Sequence, residues 1–292
     1  MKKKCIIFLI IIMVTILQSS CQINSKDRGI EFKENEIEIA VRRAINKQHG
    51  IITMDDLDKV SSITIKGTSL REFNELLLMK NLNTLFLQNV NTRQLNEIEG
   101  LESLRILRIE SKYPLTLNSN SIYENLVTLS IITDQSLDMI GLQESYPIQN
   151  LYIRAEEINN GYRIQTLKEL EELVINPVGA MDVSYLKDLT KLKRLYLSNG
   201  TLVHVEELQN LNTLEELGLI NCEIDNIFWM ESLKQIKYLY LMDNKIEDIS
   251  SLKNAENLVE LNVSSNNIKN IDPIANLKQL KELDISRNPI SE

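Results

Sequence analysis

A single period constrains this chain more than any other feature. Steps of 22 residues from Leu239 in both directions meet Ile63, Leu85, Leu107, Leu129, Leu151, Leu173, Leu195, Leu217, Leu261 and Leu283 without one shift of register. Two places on, the column runs from Ile65 through Ile153 and Leu241 to Ile285; three places before, it runs from Val60 through Ile148 and Ile236 to Leu280, and every member of both is aliphatic. Self-similarity of this length means stacked repeats, each too small to bury its apolar face alone.

The spacing within a repeat sets its local structure. Aliphatic residues at positions zero and two point to one face of a short strand and leave the intervening side chains on the other. One strand per repeat predicts a parallel sheet of eleven strands, about 4.8 Å apart and so about 50 Å long. Further apolar columns, Val205, Ile227, Ile249 and Ile271 and also Leu186, Leu208, Leu252 and Ile274, are expected to fill the core from the convex side. The connections are too short for a long helix with two loops, so 3₁₀ or irregular turns are expected there.

The stretch LYLMDNKIEDISSLKNAENLVELNVSSNNIKNIDPIANLKQLKELDISRNPI resembles the repeats of bacterial internalins. The resemblance implies an α/β solenoid of 22-residue leucine-rich repeats, with a curved parallel sheet, short 3₁₀ convex segments and a helical N-terminal cap. It also implies that Asn244, Asn266 and Asn288 cap backbone groups inside each turn and form a ladder between turns, with Cys222 in the same column. Earlier turns carry Thr68, Val90, Lys112, Asp134, Glu156, Val178 and Gly200 there. Because a charge at that place cannot be buried cheaply, a regular solenoid is expected from about residue 190 and a less regular one between residues 110 and 165.

A solenoid must also cover its first turn. Asn35 is the expected N-cap of a helix with Glu38 at N3, and Ile37, Val41, Ala44 and Ile45 lie along one face. Arg42, Arg43 and Lys47 fall where the helix dipole favours cations, Gly50 is the expected stop, and Thr53 opens a second short helix carrying Leu57 and Val60. The order helix, helix, strand resembles the internalin cap too, which places the cap at 31–60 and the repeats at 61–292.

The first residues form a targeting segment: Lys2, Lys3 and Lys4 precede the uncharged run from Cys5 to Leu17, which is shorter than the roughly 20 residues that span a bilayer. Gln18, Ser19, Ser20 and Cys21 follow and resemble a lipoprotein lipobox. Residues 1–20 are thus expected to be a signal peptide, Cys21 the lipidated residue, and 21–30 a tether holding the protein on the extracytoplasmic side of the cell membrane. An ordinary cleaved signal and an uncleaved anchor remain open, and both leave the rest of the chain outside the cytoplasm. Loss of residues 1–20 would remove three lysines and no acid from a chain already at −9. Nucleic acid is therefore excluded as a partner, since its binding rests on Lys and Arg neutralising phosphate.

Catalytic chemistry finds little purchase. His49 and His204 stand far apart in sequence, Cys222 occupies a core column, and Glu171–Glu172 and Glu215–Glu216 recur as solvating pairs on the rim before each strand. No enzyme, metal site or cofactor is expected. The concave face is more informative, because residues one before, one after and three after each strand leucine must point outward. These include Phe86 and Arg108 in the early repeats and Tyr152, Val174, Arg194, Tyr196, Gly218, Ile220, Tyr238, Tyr240 and Met242 later. Tyr, Met and Arg are enriched at protein interfaces, although aromatic residues also suit strands and pack across them.

Tyr152, Val174, Arg194, Tyr196, Ile220, Tyr238, Tyr240 and Met242 are accordingly the expected contacts for a protein partner of a lipid-anchored surface protein. The alternatives are a host-directed adhesin of internalin type and a small-ligand-binding lipoprotein. With no polar module after Ile290, the last turn is expected to expose a strand edge suited to a weak homodimer.

Overall fold

The computed structural model describes residues 29–290 apart from 67–71, 92–94, 96–97, 99, 119–120 and 177–178. The signal segment, Cys21, Thr68 and Val178 lie outside the described residues. Among those described, no helix is long and apolar enough to cross a membrane.

Eleven parallel strands form one sheet, from Ser62–Lys66 to Glu282–Asp284. Each strand pairs in the register of the repeat: Ile63 faces Leu85, Leu195 faces Leu217 and Leu261 faces Leu283. Positions zero and two are buried along nearly the whole sheet and the residues between them are not, as in Thr84–Gln88 and Arg194–Ser198. The convex side is built from short 3₁₀ helices, among them Val205–Asn210, Phe228–Ser232 and Ser250–Asn254. Leu208, Met230 and Leu252 of these helices close the core from behind.

Between residues 110 and 165 the strands keep their register, and the departure lies in the turn that follows each of them. In the regular repeats, the residue four places after the strand leucine takes a left-handed conformation, as Asn89, Asn199, Asn221, Asp243 and Ser265 do. Asn and Asp tolerate this region better than other residues with a side chain. The chain then turns, and the next residue points inward: Val90, Cys222, Asn244 and Asn266 are all buried.

In the middle repeats the strands Ile106–Ser111 and Thr128–Thr133 run one residue further, burying Ser111 and Thr133. Ala155 is buried at the equivalent place, and Lys112, Asp134 and Glu156 are released to solvent. No charge has to be buried. Ser111 Oγ donates to Val90 O at 2.6 Å, and Thr133 Oγ1 donates to Tyr113 O at 3.0 Å, so hydroxyls do the work of the amides. The remaining backbone groups pair in a second parallel sheet of Leu115–Thr116, Ser136–Asp138 and Glu157–Asn159, and in another of Gly179–Asp182 with Gly200–Val203.

The cap helix spans Asn35–Ala44, with Glu34 at the N-cap position instead of Asn35. Glu34 makes no capping bond; its carboxylate accepts from the Glu72 N–H at 3.2 Å and ties the helix to the next turn. Ile37, Ala40 and Val41 form the buried face while Ala44 is exposed. Gly50 is not the stop. Asn46 adopts the left-handed conformation at φ 53°, and Lys47 N–H reaches Arg42 O at 2.9 Å in a Schellman closure.

The second helix, Met54–Leu57, is capped by Thr53 as expected, with Asp56 completing a capping box. Asp56 also holds Lys47 at 2.6 Å and Lys59 at 3.1 Å. The Lys47 ammonium, more than any other neighbour, keeps its carboxyl well below the usual carboxylate range. A folded-state value below the unfolded one contributes stability above about pH 4, lost as pH falls toward the folded value. The melting-temperature difference between wild type and Asp56→Asn is therefore expected at neutral pH and should shrink steadily below about pH 4. A difference constant with pH would mean that the ion pairs contribute nothing.

At the other end, Leu277 is buried, Leu280, Ile285 and Ile290 are partly covered, and Leu283 is 45% exposed. The strand Glu282–Asp284 pairs only with Glu260–Asn262 among the described residues.

Candidate functional site: the concave face

Each outward column lies where the strand alternation sends it. Tyr152, Val174, Arg194, Tyr196 and Ile220 are half-buried on their strands. Tyr240 and Met242 are likewise half-buried, and Tyr238 is exposed. The structure brings the later residues together. Tyr196, Gly218 and Tyr240 occupy the same place on three adjacent strands. Gly218 has no side chain, so the Tyr196 ring leans across it; a Cβ at Gly218 would run into that ring. Tyr196 and Tyr240 thereby stack with centroids 6.0 Å apart and an interplanar angle of 24°. Further toward the N-terminus the face is different, with the Arg108 guanidinium 4.9 Å above the Phe86 ring.

Four glutamates belong to this site, and the rim reading of the paired carboxylates misses two of them. Glu171 and Glu215 do lie on the rim, paired with Lys193 at 2.8 Å and Lys237 at 2.7 Å. Glu172 and Glu216 turn the other way, into the concavity, because they sit one before the strand leucine and share the parity of the tyrosines. Tyr196 donates to Glu216. Tyr152 faces Glu172 and Tyr240 faces Glu260 in the same relation, one repeat on and two residues back. The parity that identified the tyrosines was also the signal for Glu172, Glu216, Glu260 and Glu282.

The electrostatics follow from partial burial beside carboxylates. Burial first, then the bond to Glu216, carries the Tyr196 phenol far above its ordinary value. Tyr240 is pushed up to about 12 by burial and then by Glu260, Glu216 and Glu282. Both hydroxyls stay protonated donors at physiological pH. Arg194 donates twice to one oxygen of Glu172, at 2.9 and 2.6 Å, so the charges around Tyr152 are balanced.

Cys222 is buried away from this face, with Sγ against the carbonyls of Ile220 and Leu197 at 3.3 and 3.4 Å. Desolvation raises its thiol to about 11, which leaves little thiolate for chemistry. His204 is an exposed convex residue, 3.1 Å from Asp182. The concave face thus offers aromatic surface, hydroxyl donors and carboxylates.

Gly218 gives a direct test of this packing. Gly218→Ala is expected to displace the Tyr196 ring, alter the near-ultraviolet circular dichroism and cost about 1 kcal/mol, since overpacking and a lost aromatic pair both fall in that range. An unchanged near-ultraviolet spectrum would place the ring elsewhere.

Residues 256–292 match the family model described as Leucine Rich repeats (2 copies). An internalin, inlF, from Listeria monocytogenes superposes with a TM-score of 0.57 at 19% identity, covering 89% of this chain and 91% of that one. The fold is a leucine-rich-repeat solenoid. A leucine-rich-repeat protein of Leptospira interrogans gives a TM-score of 0.61 at 21% identity, over 82% of this chain and 69% of the other. A plant peptide hormone receptor, RGFR1, solved in complex with RGF2, gives 0.53 at 16% identity, over 81% of the solenoid's chain and 49% of the receptor's. At these identities the likeness is one of fold. A sequence search of curated proteins returns no match.

Proposed function

We propose that this solenoid is displayed from a membrane by a lipid on Cys21 and holds a protein partner against its concave face. The observation that carries the reading is the Tyr196–Tyr240 stack, flanked by Tyr238, Ile220 and Met242 on one open sheet surface. Aromatic side chains and Met are the residue types that protein interfaces concentrate, and tyrosine loses little conformational entropy on binding. The receptor of like fold is recorded in complex with RGF2, in keeping with a binding scaffold. The anchor rests on the sequence alone: the basic Lys2–Lys4, the apolar run from Cys5 to Leu17, and Ser19 and Ser20 before Cys21.

Two experiments test the two halves. A palmitate analogue should label the wild type and leave Cys21→Ala unlabelled; equal labelling of both removes the anchor. For the partner, the detergent-solubilised full chain is used as bait in envelope extract. A Tyr196→Ser, Tyr240→Ser double variant should lose a protein that wild type and the convex variant Phe228→Ser both retain. Phe228 is 60% exposed and lies on the opposite surface. Retention by the tyrosine variant would overturn the concave reading.

A further inference from the structure

The aromatic stack borders an acidic stretch of the sheet. From the strand Glu216–Ile220 to the last strand, the outward positions hold Glu216, Glu260, Glu282 and Asp284 and no Lys or Arg. The nearest cation upstream on the face, Arg194, already donates twice to Glu172. On the rim the same protein neutralises its glutamates one by one with lysines. In the concavity Arg194 pairs with Glu172, but among the described residues no Lys or Arg pairs with Glu260 or Glu282.

The arrangement is also costly in itself. Along the column before the strand leucine, Glu172, Arg194, Glu216 and Tyr238 keep acids apart, but Glu260 and Glu282 are direct partners on adjacent strands. Strands there are about 4.8 Å apart, and like charges directly opposite one another destabilise a sheet. Tyr240 faces Glu260 on the adjacent strand, so the Glu260–Glu282 pair lies against a half-buried aromatic. An incoming cation would relieve the repulsion between Glu260 and Glu282. Carboxylates beside exposed ring faces fit an organic cation, which gains charge-assisted hydrogen bonds and cation–π contact together. Among the described residues no group of three His, Cys, Asp or Glu is placed to hold a metal ion.

We propose that the protein partner presents a lysine or arginine here, its cationic head between Glu260 and Glu282 and its aliphatic stem against Tyr240 and Met242. The inference rests on the concave face being the partner surface and adds the chemistry of what it takes. The head would offset charge that the solenoid leaves unpaired, and the stem would cover apolar area beside the tyrosine stack.

The test uses the full chain in detergent with isotope-labelled tyrosine rings, and the probe is acetyl-Gly-Arg-Gly-Arg-Gly-amide. Its control is the same peptide with citrulline, which keeps the shape and removes the charge. The arginine peptide should shift the Tyr196, Tyr238 and Tyr240 ring signals saturably, and the citrulline peptide should bind about tenfold more weakly or worse, as expected on losing charge-assisted contacts. Glu260→Gln, Glu282→Gln should reduce the arginine peptide to the citrulline level while melting at or above the wild-type temperature, since a repulsion is removed. Equal response to both peptides, no response to either, or full affinity in the glutamine variant would overturn the proposal. If envelope capture is lost in the tyrosine variant but unaffected in the glutamine variant, the concave reading stands and the cationic contact fails; capture retained by the tyrosine variant removes both.

Discussion

Leu217→Asp is expected to unfold the middle of the solenoid. Leu217 is fully buried, paired in register with Leu195 on one side and Leu239 on the other, and both neighbours are buried too. A carboxylate at that place finds no cation and no donor among the aliphatic columns; such burial costs on the order of 4 kcal/mol or more, at the extreme of single-residue effects. Because a solenoid is held together by nearest-neighbour interfaces, one such turn uncouples the repeats on both sides. Circular dichroism with thermal melting should show loss of the cooperative transition or a broad one of much lower midpoint. Tyr240→Ser, on the outer face of the neighbouring strand, should cost less than about 2 kcal/mol. Near-equal effects would mean that inside and outside have been exchanged.

Asn244→Ala is expected to cost about 2–4 kcal/mol, because one side chain satisfies buried groups of two turns. Its amide nitrogen donates to Leu219 O at 2.7 Å, Leu241 O at 2.9 Å and Met242 O at 3.2 Å. Its oxygen accepts from the Cys222 and Ile224 N–H groups, both at 3.0 Å. Alanine leaves these groups without partners in a place that water does not reach, and an unmade buried hydrogen bond costs its full desolvation. Asn288→Ala removes the same pattern at the partly exposed last turn, where solvent substitutes, so its effect should be smaller. Denaturant titration of both variants decides; equal and small losses would show that the ladder is dispensable.

The period made the solenoid legible, since one register shared by three apolar columns admits few other packings. The turn after each strand was only half legible. The asparagine ladder of the late repeats resembles a known pattern, but the two kinds of turn differ in the conformation of the preceding residue, which its type favours without fixing: Ser265 and Arg287 are left-handed while Ser111 is extended. Asn or Asp at 89, 199, 221 and 243 accepts a left-handed backbone, whereas Ser111, Thr133 and Ala155 stay extended and face inward. A charge at Lys112 or Asp134 therefore follows a longer strand and not a disrupted one. The cap boundary moved by one residue because Asn35 has no capping role while Glu34 is claimed by the Glu72 backbone. In the site, the tyrosines were legible from alternation. Glu172 and Glu216 were obscured because their neighbours Glu171 and Glu215 really are solvated rim charges, and adjacent residues on a strand face opposite ways. The role of Gly218 could not be read from one sequence, since only the lean of the Tyr196 ring reveals what the missing side chain makes room for.

Site-specific photocrosslinking most directly tests whether a protein partner occupies the concave face. A benzophenone amino acid is placed at Tyr238, exposed beside the tyrosine stack, or at Phe228, exposed on the convex helices, in the full chain in its own envelope. The account predicts a discrete crosslinked protein from position 238, abolished by Tyr196→Ser, Tyr240→Ser, and none from position 228. A crosslink from position 228 with none from position 238 would contradict it.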